Sequence, residues 1–221
     1  MGRAKEIVLK VIPAKIANDF VKRHHYSKSF VRNSVLHFGA FLDGKLHGVL
    51  QYGNSIDKRN CISFVDTGLS VNEGWNSFLE LNRMAFDDYL PKYSESRCIA
   101  ISIKLIRKNA PQVKWLLSYA DGTQCGDGTI YRASGFKLCG INKNSTIYRL
   151  SSGAVKAKHG TSKADFTGAE KLEGNQFRYI YLIDKKSRIT LPILPFEKID
   201  EAGAGMYKGE KITLQERRAK D

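Results

Sequence analysis

The sequence predicts a mixed α/β fold, and three observations carry the prediction. Apolar runs of strand length alternate with helix-periodic segments along residues 7–150, the pattern of a sheet covered by helices. Asp43-Gly44 separates Val35–Leu42 from Leu46–Tyr52, a strong hairpin signal. Ser96–Asn109 carries Ile99, Ile103 and Ile106 at helical spacing, and Pro111 closes it before the apolar run Val113–Tyr119.

In chain order, Ile7–Ile12 reads as a strand ended by Pro13. Ala14–Arg23 reads as a helix with Ile16, Phe20 and Val21 on its apolar face. Pro13 stands at its start, where a missing N–H costs least. His24-His25-Tyr26-Ser27 lies at its C-terminal end, and the hairpin follows. Cys61–Leu69 reads as another strand or extended segment. Glu80–Phe86 reads as a strand leading into the loop Asp87–Glu95. After the long helix, Val113–Tyr119 delivers Asp121 at the carboxyl end of a buried strand, where ligand sites concentrate in open α/β sheets. A Gly-rich turn, a short helix bearing Tyr131, and a strand opened by Gly135-Phe136 come next. Phe136–Gly140 and Thr146–Leu150 are expected to complete the sheet of a catalytic domain spanning residues 1–150. Residues 151–176 are rich in Gly, Ser and Lys and are expected to form a flexible loop. Residues 177–221 are expected to add a hairpin, Phe177–Ile183 and Ile189–Phe196 joined through Lys185-Lys186-Ser187, and a charged tail.

Composition narrows the function. The 221 residues carry 36 Lys and Arg against 22 Asp and Glu, a net charge of +14, which points to a polyanionic partner, nucleic acid first. No run approaches the ~18–20 apolar residues of a membrane span. The N-terminal stretch lacks the apolar core of a signal peptide, so a cytoplasmic location is expected. Cys61, Cys98, Cys125 and Cys139 form no C-x-x-C pair, which argues against a zinc cage and for free thiols.

Several residues suit chemistry. Asp121 can accept a proton, orient an amine, ligate a metal, or cap the following helix. Tyr131 offers a neutral phenol, with an ordinary pKa of ~10, as a donor to a leaving group. Arg83 presents a planar fork that fits a carboxylate, phosphate or acyl carbonyl. Ser96 is placed to cap the long helix. Ser94, Ser96 and Arg97 lie at its N-terminus, where free N–H groups favour phosphate. His25 and Tyr26, with Asp121 as a distant partner, offer an imidazole and oxygens to an ion such as iron. Tyr52 is expected to line the same cleft, and His37 and His47 to sit on the sheet surface. Lys22, Arg23, Lys28 and Arg32, with Phe30 interleaved, make one basic patch; Lys104, Arg107 and Lys108 make a second, and Lys185 and Lys186 a third. Such residues would contact a nucleic-acid backbone.

The order of elements resembles the GNAT acyltransferase fold, in which a Tyr on the last short helix before a Gly-Phe strand acts as proton donor. The segments L-N-R-M-A-F, S-E-S-R and Y-A-D-G-T-Q-C-G-D-G-T-I-Y-R-A-S-G-F resemble the phage Mom family across roughly residues 20–150. The resemblance implies modification of adenine in double-stranded DNA to its N6-carbamoylmethyl form, which protects phage DNA from host restriction. It implies roles for Arg83, Asp121 and Tyr131, and a His-Tyr pair, here His25 and Tyr26, linked to function and to iron. It also implies acetyl-CoA or another two-carbon donor. Residues 87–97 hold no glycine, unlike the glycine-rich pyrophosphate loop of GNAT enzymes, a departure that Mom proteins share. Two other readings stand: an acetyl-CoA-dependent N-acetyltransferase acting on a nucleic-acid-linked amine such as an aminoacyl-tRNA, and a non-catalytic basic nucleic-acid-binding module. The oligomeric state is left open.

Overall fold

The computed structural model describes residues 2–124, 126–144, 146–153, 155–157, 166–202, 205–207, 210–212 and 219. Its elements run β1 Val8–Val11, α1 Ala14–His24, β2 Ser34–Leu42, β3 Lys45–Gly53, α2 Lys58–Cys61, β4 Val65–Asp66, β5 Phe78–Phe86, α3 Ser94–Asn109, β6 Trp115–Asp121, α4 Thr129–Ala133 and β7 Lys137–Lys143. They continue with β8 Ile147–Arg149, β9 Val155–Ala157, β10 Glu170–Lys171, β11 Asn175–Leu182, β12 Arg188–Ile189, α5 Glu197–Glu201, β13 Gly205–Tyr207 and β14 Glu210–Ile212.

Seven strands form one mixed sheet in the order β1-β2-β3-β5-β6-β11-β7. The pairs β1–β2, β2–β3 and β3–β5 are antiparallel, and β5–β6 is parallel. The expected mixed α/β class therefore holds. Asp43 at φ 51° and Gly44 at φ 76° make the β2–β3 turn, the left-handed pair that a two-residue hairpin requires. Helix α1 closes one core with Ala17, Phe20 and Val21 against Ile12, Val49 and Ala85. Helix α3 buries Cys98, Ile99, Ser102, Ile103 and Ile106.

The chain forms two compact units. The first holds Met1–Ser118, Ile130–Lys137 and Ile180–Pro192; the second holds Tyr119–Thr129, Leu138–Tyr179 and Ile193–Asp221. Within the second, Arg149 pairs with Glu170 at 2.8 Å, Tyr148 meets Phe166 edge-on at 5.2 Å, and Asn175 Nδ2 donates to the Ala202 carbonyl at 2.8 Å.

Four expectations are corrected. The hairpin through Lys185-Lys186-Ser187 does not form. Instead β11 enters the central sheet between β6 and β7. Phe177, Tyr179 and Ile180 are all fully buried, so the strand is apolar on both faces, as an interior strand must be. Strand β12 pairs with β4 instead, Arg188 opposite Asp66 and Ile189 opposite Val65. Strand β8 does not join the main sheet; it lies between β10 and β9 in a three-stranded sheet. Its partners come from the stretch expected to be a flexible loop, of which residues 154 and 158–165 lie outside the described residues. Most of 61–69 is not a strand, because Asp57 caps α2 by accepting the Asn60 N–H at 3.3 Å, and only Val65–Asp66 remains extended. His37 and His47 are buried, at 7% and 9% exposure. Gln51 meets the His37 ring at 3.1 Å and Asp87 meets that of His47 at 2.9 Å.

Among the described residues no helix is long and apolar enough to cross a membrane. Cys61, Cys98 and Cys139 are buried thiols outside any disulfide, and Cys125 lies outside the described residues.

Candidate active site

The site begins with a register error built into β5. Glu80 and Arg83 are three residues apart, which in a regular strand would send them to opposite faces. The β3–β5 ladder pairs Gln51 with Arg83 but Tyr52 with Leu81, so Asn82 is an extra residue, a β-bulge. The bulge brings Glu80 and Arg83 to one face. Gly53, opposite Glu80, has no room for a Cβ, which would strike the Asn33 carbonyl and Asn82. The parallel ladder to β6 runs from Phe78↔Trp115 through Glu80↔Leu117 and stops. Beyond it the Ser118 hydroxyl donates to the Leu81 carbonyl at 3.3 Å.

Tyr131 is delivered by the end of α4. Phe136 N–H donates to the Tyr131 carbonyl at 3.0 Å and Gly135 N–H to that of Arg132 at 3.0 Å, with Gly135 at φ 83°. This is a Schellman cap, and it explains the Gly-Phe pair: glycine takes the left-handed position, and the next residue packs back on the helix. Phe136 meets the Tyr131 ring at 5.6 Å.

Glu80, Arg83 and Tyr131 are each half-buried and interact electrostatically. Burial pushes the Glu80 carboxyl above its ordinary value, while Ser55, Asn82 and Arg83 oppose the rise. Burial likewise raises the Tyr131 phenol; Ser118 offsets part of this, Glu80 adds to it, and Arg83 opposes it. Burial lowers the Arg83 pKa, opposed by Tyr26, Glu80 and Tyr131. Arg83 Nε donates to the Ser29 carbonyl at 3.1 Å and Nη1 to that of Asn82 at 2.8 Å. Its Nη2 makes no hydrogen bond among the described residues. The cluster thus holds a carboxyl with raised proton affinity, a protonated phenol and a guanidinium with donors to spare, the groups a proton-transfer site needs.

Glu80 was not among the residues nominated from sequence. The one signal was a charged residue inside an apolar strand, and a regular strand would have turned it away from Arg83.

His25 and Tyr26 follow α1, their rings 4.2 Å apart. His25 Nδ1 accepts the Ser27 N–H at 3.1 Å and meets Ser27 Oγ at 2.8 Å. Tyr26 is 51% exposed and interacts with Arg83. With Nδ1 accepting, the neutral ring carries its proton on Nε2, which leaves no lone pair for an ion. Among the described residues no group of three His, Cys, Asp or Glu is disposed to hold a metal, so the iron set of His25, Tyr26 and Asp121 finds no support here.

Burial, then Arg83 and Lys28, pull the His25 imidazole down from 6.5 to about 4. Between those values the unfolded chain binds the proton and the folded one does not, so stability falls as pH drops through that window. The expected loss from pH 7 to pH 4 is up to about 3 kcal/mol. Urea midpoints at the two pH values should converge in part for His25→Asn, and identical pH dependence in the variant would contradict this.

The remaining nominated residues are placed as follows. Tyr52 is fully buried, its hydroxyl 2.6 Å from Ser102 Oγ on α3; it braces helix on sheet and does not line a cleft. Asp121 does not cap α4. Its Oδ1 accepts the Thr123 N–H at 3.0 Å and hydroxyl at 2.6 Å, and Asn144 Nδ2 at 3.4 Å, holding the turn after β6. Asp127, one residue before the cap position, serves the start of α4 instead, accepting the Thr129 N–H at 2.8 Å. The sequence held the signal: D-G-T occurs at 121–123 and again at 127–129, and the second copy adjoins the helix.

Ser96 does not cap α3. The helix starts at Ser94, and Tyr93 occupies the cap position at φ 72° without a side-chain bond. Ser94 Oγ donates to the Pro91 carbonyl, Ser96 Oγ to that of Tyr93 at 3.2 Å, and Arg97 Nη2 to that of Lys5 at 3.0 Å. What this end offers a phosphate is its first-turn N–H groups. Cys98 beneath it is fully buried, and burial pushes its thiol up to about 12.

Lys22, Arg23, Lys28, Arg32, Lys104, Arg107, Lys108, Lys185 and Lys186 are all exposed. Lys22 lies 5.1 Å over the Phe30 ring, and Lys28 Nζ donates to the Arg23 carbonyl at 2.7 Å.

Residues 6–198 match the model of the Mom protein family. The chain belongs to that family. It is 35% identical over 202 residues to the methylcarbamoylase mom of Escherichia phage Mu, covering 85% of this chain and 80% of that protein. Among solved structures it is similar to an IAA acetyltransferase from Bacillus cereus, at 13% identity and TM-score 0.47, covering 80% of this chain and 99% of that one. It is also similar to the ribosomal-protein-S18-alanine N-acetyltransferase of Escherichia coli, at 11% identity and TM-score 0.47, covering 80% and 94%.

Proposed function

We propose that this protein is a DNA-modifying enzyme that converts adenine to N6-carbamoylmethyladenine in double-stranded DNA and so shields that DNA from restriction. The observation that carries the reading is the Glu80–Arg83–Tyr131 cluster on the bulged face of β5, in a chain of the Mom family. The adenine N6 lone pair is delocalised into the ring, so the amine needs help in losing its proton. In this reading N6 attacks the methylene carbon of a two-carbon donor that carries a leaving group there. The N–C bond forms, the leaving group departs with the bonding electron pair, and the N6 proton passes to the Glu80 carboxylate. Tyr131 then gives its proton to the departing group. Arg83 Nη2 steadies the developing negative charge.

A phosphate-bearing leaving group on that methylene carbon would place its phosphates at the first-turn N–H groups of α3, whereas an acyl-CoA, whose thiolate leaves from the carbonyl carbon, would serve the N-acetyltransferase reading. The exposed basic residues of α1, α3 and the 183–188 turn would hold the backbone of duplex DNA, with affinity falling as salt rises.

The test is mass spectrometry of nucleosides from plasmid DNA after expression of the protein in bacteria. Carbamoylmethyl-shifted adenosine is expected with the natural chain and is expected to be lost with Arg83→Lys and Tyr131→Phe. Unmodified adenosine alongside folded, abundant protein would overturn the reading. An acetyl increment on a nucleic-acid-linked amine would favour the N-acetyltransferase instead.

A further inference from the structure

Ile56 is the most exposed large apolar side chain among the described residues, at 96%. It is not on a loose tip. On one side, Asn54 donates its N–H to the Asn33 carbonyl at 3.2 Å, and its own carbonyl accepts from the Asn33 and Asn82 side chains. Ser55 is buried, 3.4 Å from Cys61 Sγ, and its hydroxyl helps to hold down the Glu80 pKa. On the other side, Asp57 caps α2. Lys58 Nζ donates to Asn54 Oδ1 at 2.7 Å and Asn76 Oδ1 at 3.1 Å, with the Trp75 ring 5.0 Å away. The fold therefore holds a branched apolar side chain in water, one residue from Ser55, whose hydroxyl acts on Glu80.

Cations lie on both sides of it, and the one adjacent carboxylate, Asp57, is turned to the Asn60 N–H of α2. The Asn33–Asn54 pairing joins this segment to the loop after α1, which carries exposed Arg32 and Lys28; Arg59 is exposed on the other side. The segment thus presents one apolar point flanked by Arg32, Lys28 and Arg59, its one neighbouring carboxylate engaged at the start of α2, a surface that suits phosphates with apolar bases stacked inside.

A base whose N6 must reach half-buried Glu80 and Tyr131 cannot stay in the stack. Extrusion leaves a gap, and DNA-bending and base-extruding proteins commonly insert an apolar side chain between base steps. We propose that Ile56 is the wedge that enters the duplex where the target adenine leaves it. The partner is stacked double-stranded DNA, and the inference rests on the DNA-modification reading above.

The experiment places 2-aminopurine at the target adenine of a duplex, in the sequence context recovered from plasmid modified by the natural chain. Binding of the natural chain is expected to raise the probe's fluorescence. Ile56→Ala is expected to bind that duplex within about twofold, because phosphate contacts dominate affinity. Its fluorescence rise should be about tenfold smaller, and Ile56→Leu should restore it. An unchanged urea midpoint should accompany Ile56→Ala, since the side chain packs on nothing. A rise equal to the natural chain's would overturn the wedge and leave the enzymatic reading standing. Plasmid adenine left unmodified by the natural chain would instead overturn the enzymatic reading, and the wedge with it.

Discussion

Trp115→Ala is expected to cost about 3–5 kcal/mol of folding stability, the range for emptying a large aromatic site in a core. Trp115 is fully buried and stacks on Phe78 at 4.3 Å with 13° between the rings. The two also form the first rung of the β5–β6 ladder, so the substitution removes the packing that holds the strands together where Glu80 is positioned. Against a total of about 5–15 kcal/mol for an ordinary domain, this loss would lower the protein's abundance in cells. Trp115→Phe should lose less, because the indole N–H is buried without a partner among the described residues, and its removal relieves an unsatisfied donor. Urea unfolding of the three proteins gives the comparison. A midpoint for Trp115→Ala equal to that of the natural chain would mean the ladder's first rung does not bear on stability.

What could be read in the sequence was what is local. The β2–β3 hairpin follows from Asp43-Gly44, α3 from its isoleucine spacing, and the delivery of Tyr131 from Gly135-Phe136; each is decided within a few residues. Phe177–Ile183 was legible as a strand but not as an interior one, because burial on both faces says that partners exist without saying which. The bulge at Asn82 belongs to two strands at once, since it is a mismatch between β3 and β5, and the alternation of β5 alone cannot reveal it. Glu80 was hidden for that reason: the candidate site was half legible through Arg83 and Tyr131, and its carboxyl came from the less obvious strand residue. Asp121 stood out over Asp127 because it ends a strand, and Ser96 stood out as the cap because the helix reads from there; both depend on where each helix starts, which is Thr129 for α4 and Ser94 for α3.

Glu80→Gln is expected to reduce adenine modification by about 10²–10⁴-fold, the usual worth of a positioned acid or base. The amide keeps the shape of the side chain but cannot take a proton. The variant should bind duplex DNA as the natural chain does, because the DNA contacts proposed above lie on other residues. Its stability should move the other way. A carboxyl whose folded pKa is raised by burial favours folding below the ordinary carboxyl value, and that contribution is lost as pH rises through the folded pKa. At neutral pH a neutral glutamine therefore removes a desolvated charge, and the urea midpoint should hold or rise. Lost activity with undiminished stability is the mark of a group kept for chemistry at the fold's expense, and a packing role would not produce it. The acid limb of activity should lie above the ordinary carboxyl value and shift in Glu80→Asp, since the base is silenced where Glu80 protonates. Full modification by Glu80→Gln would overturn the assignment of Glu80 as the proton acceptor of this cluster.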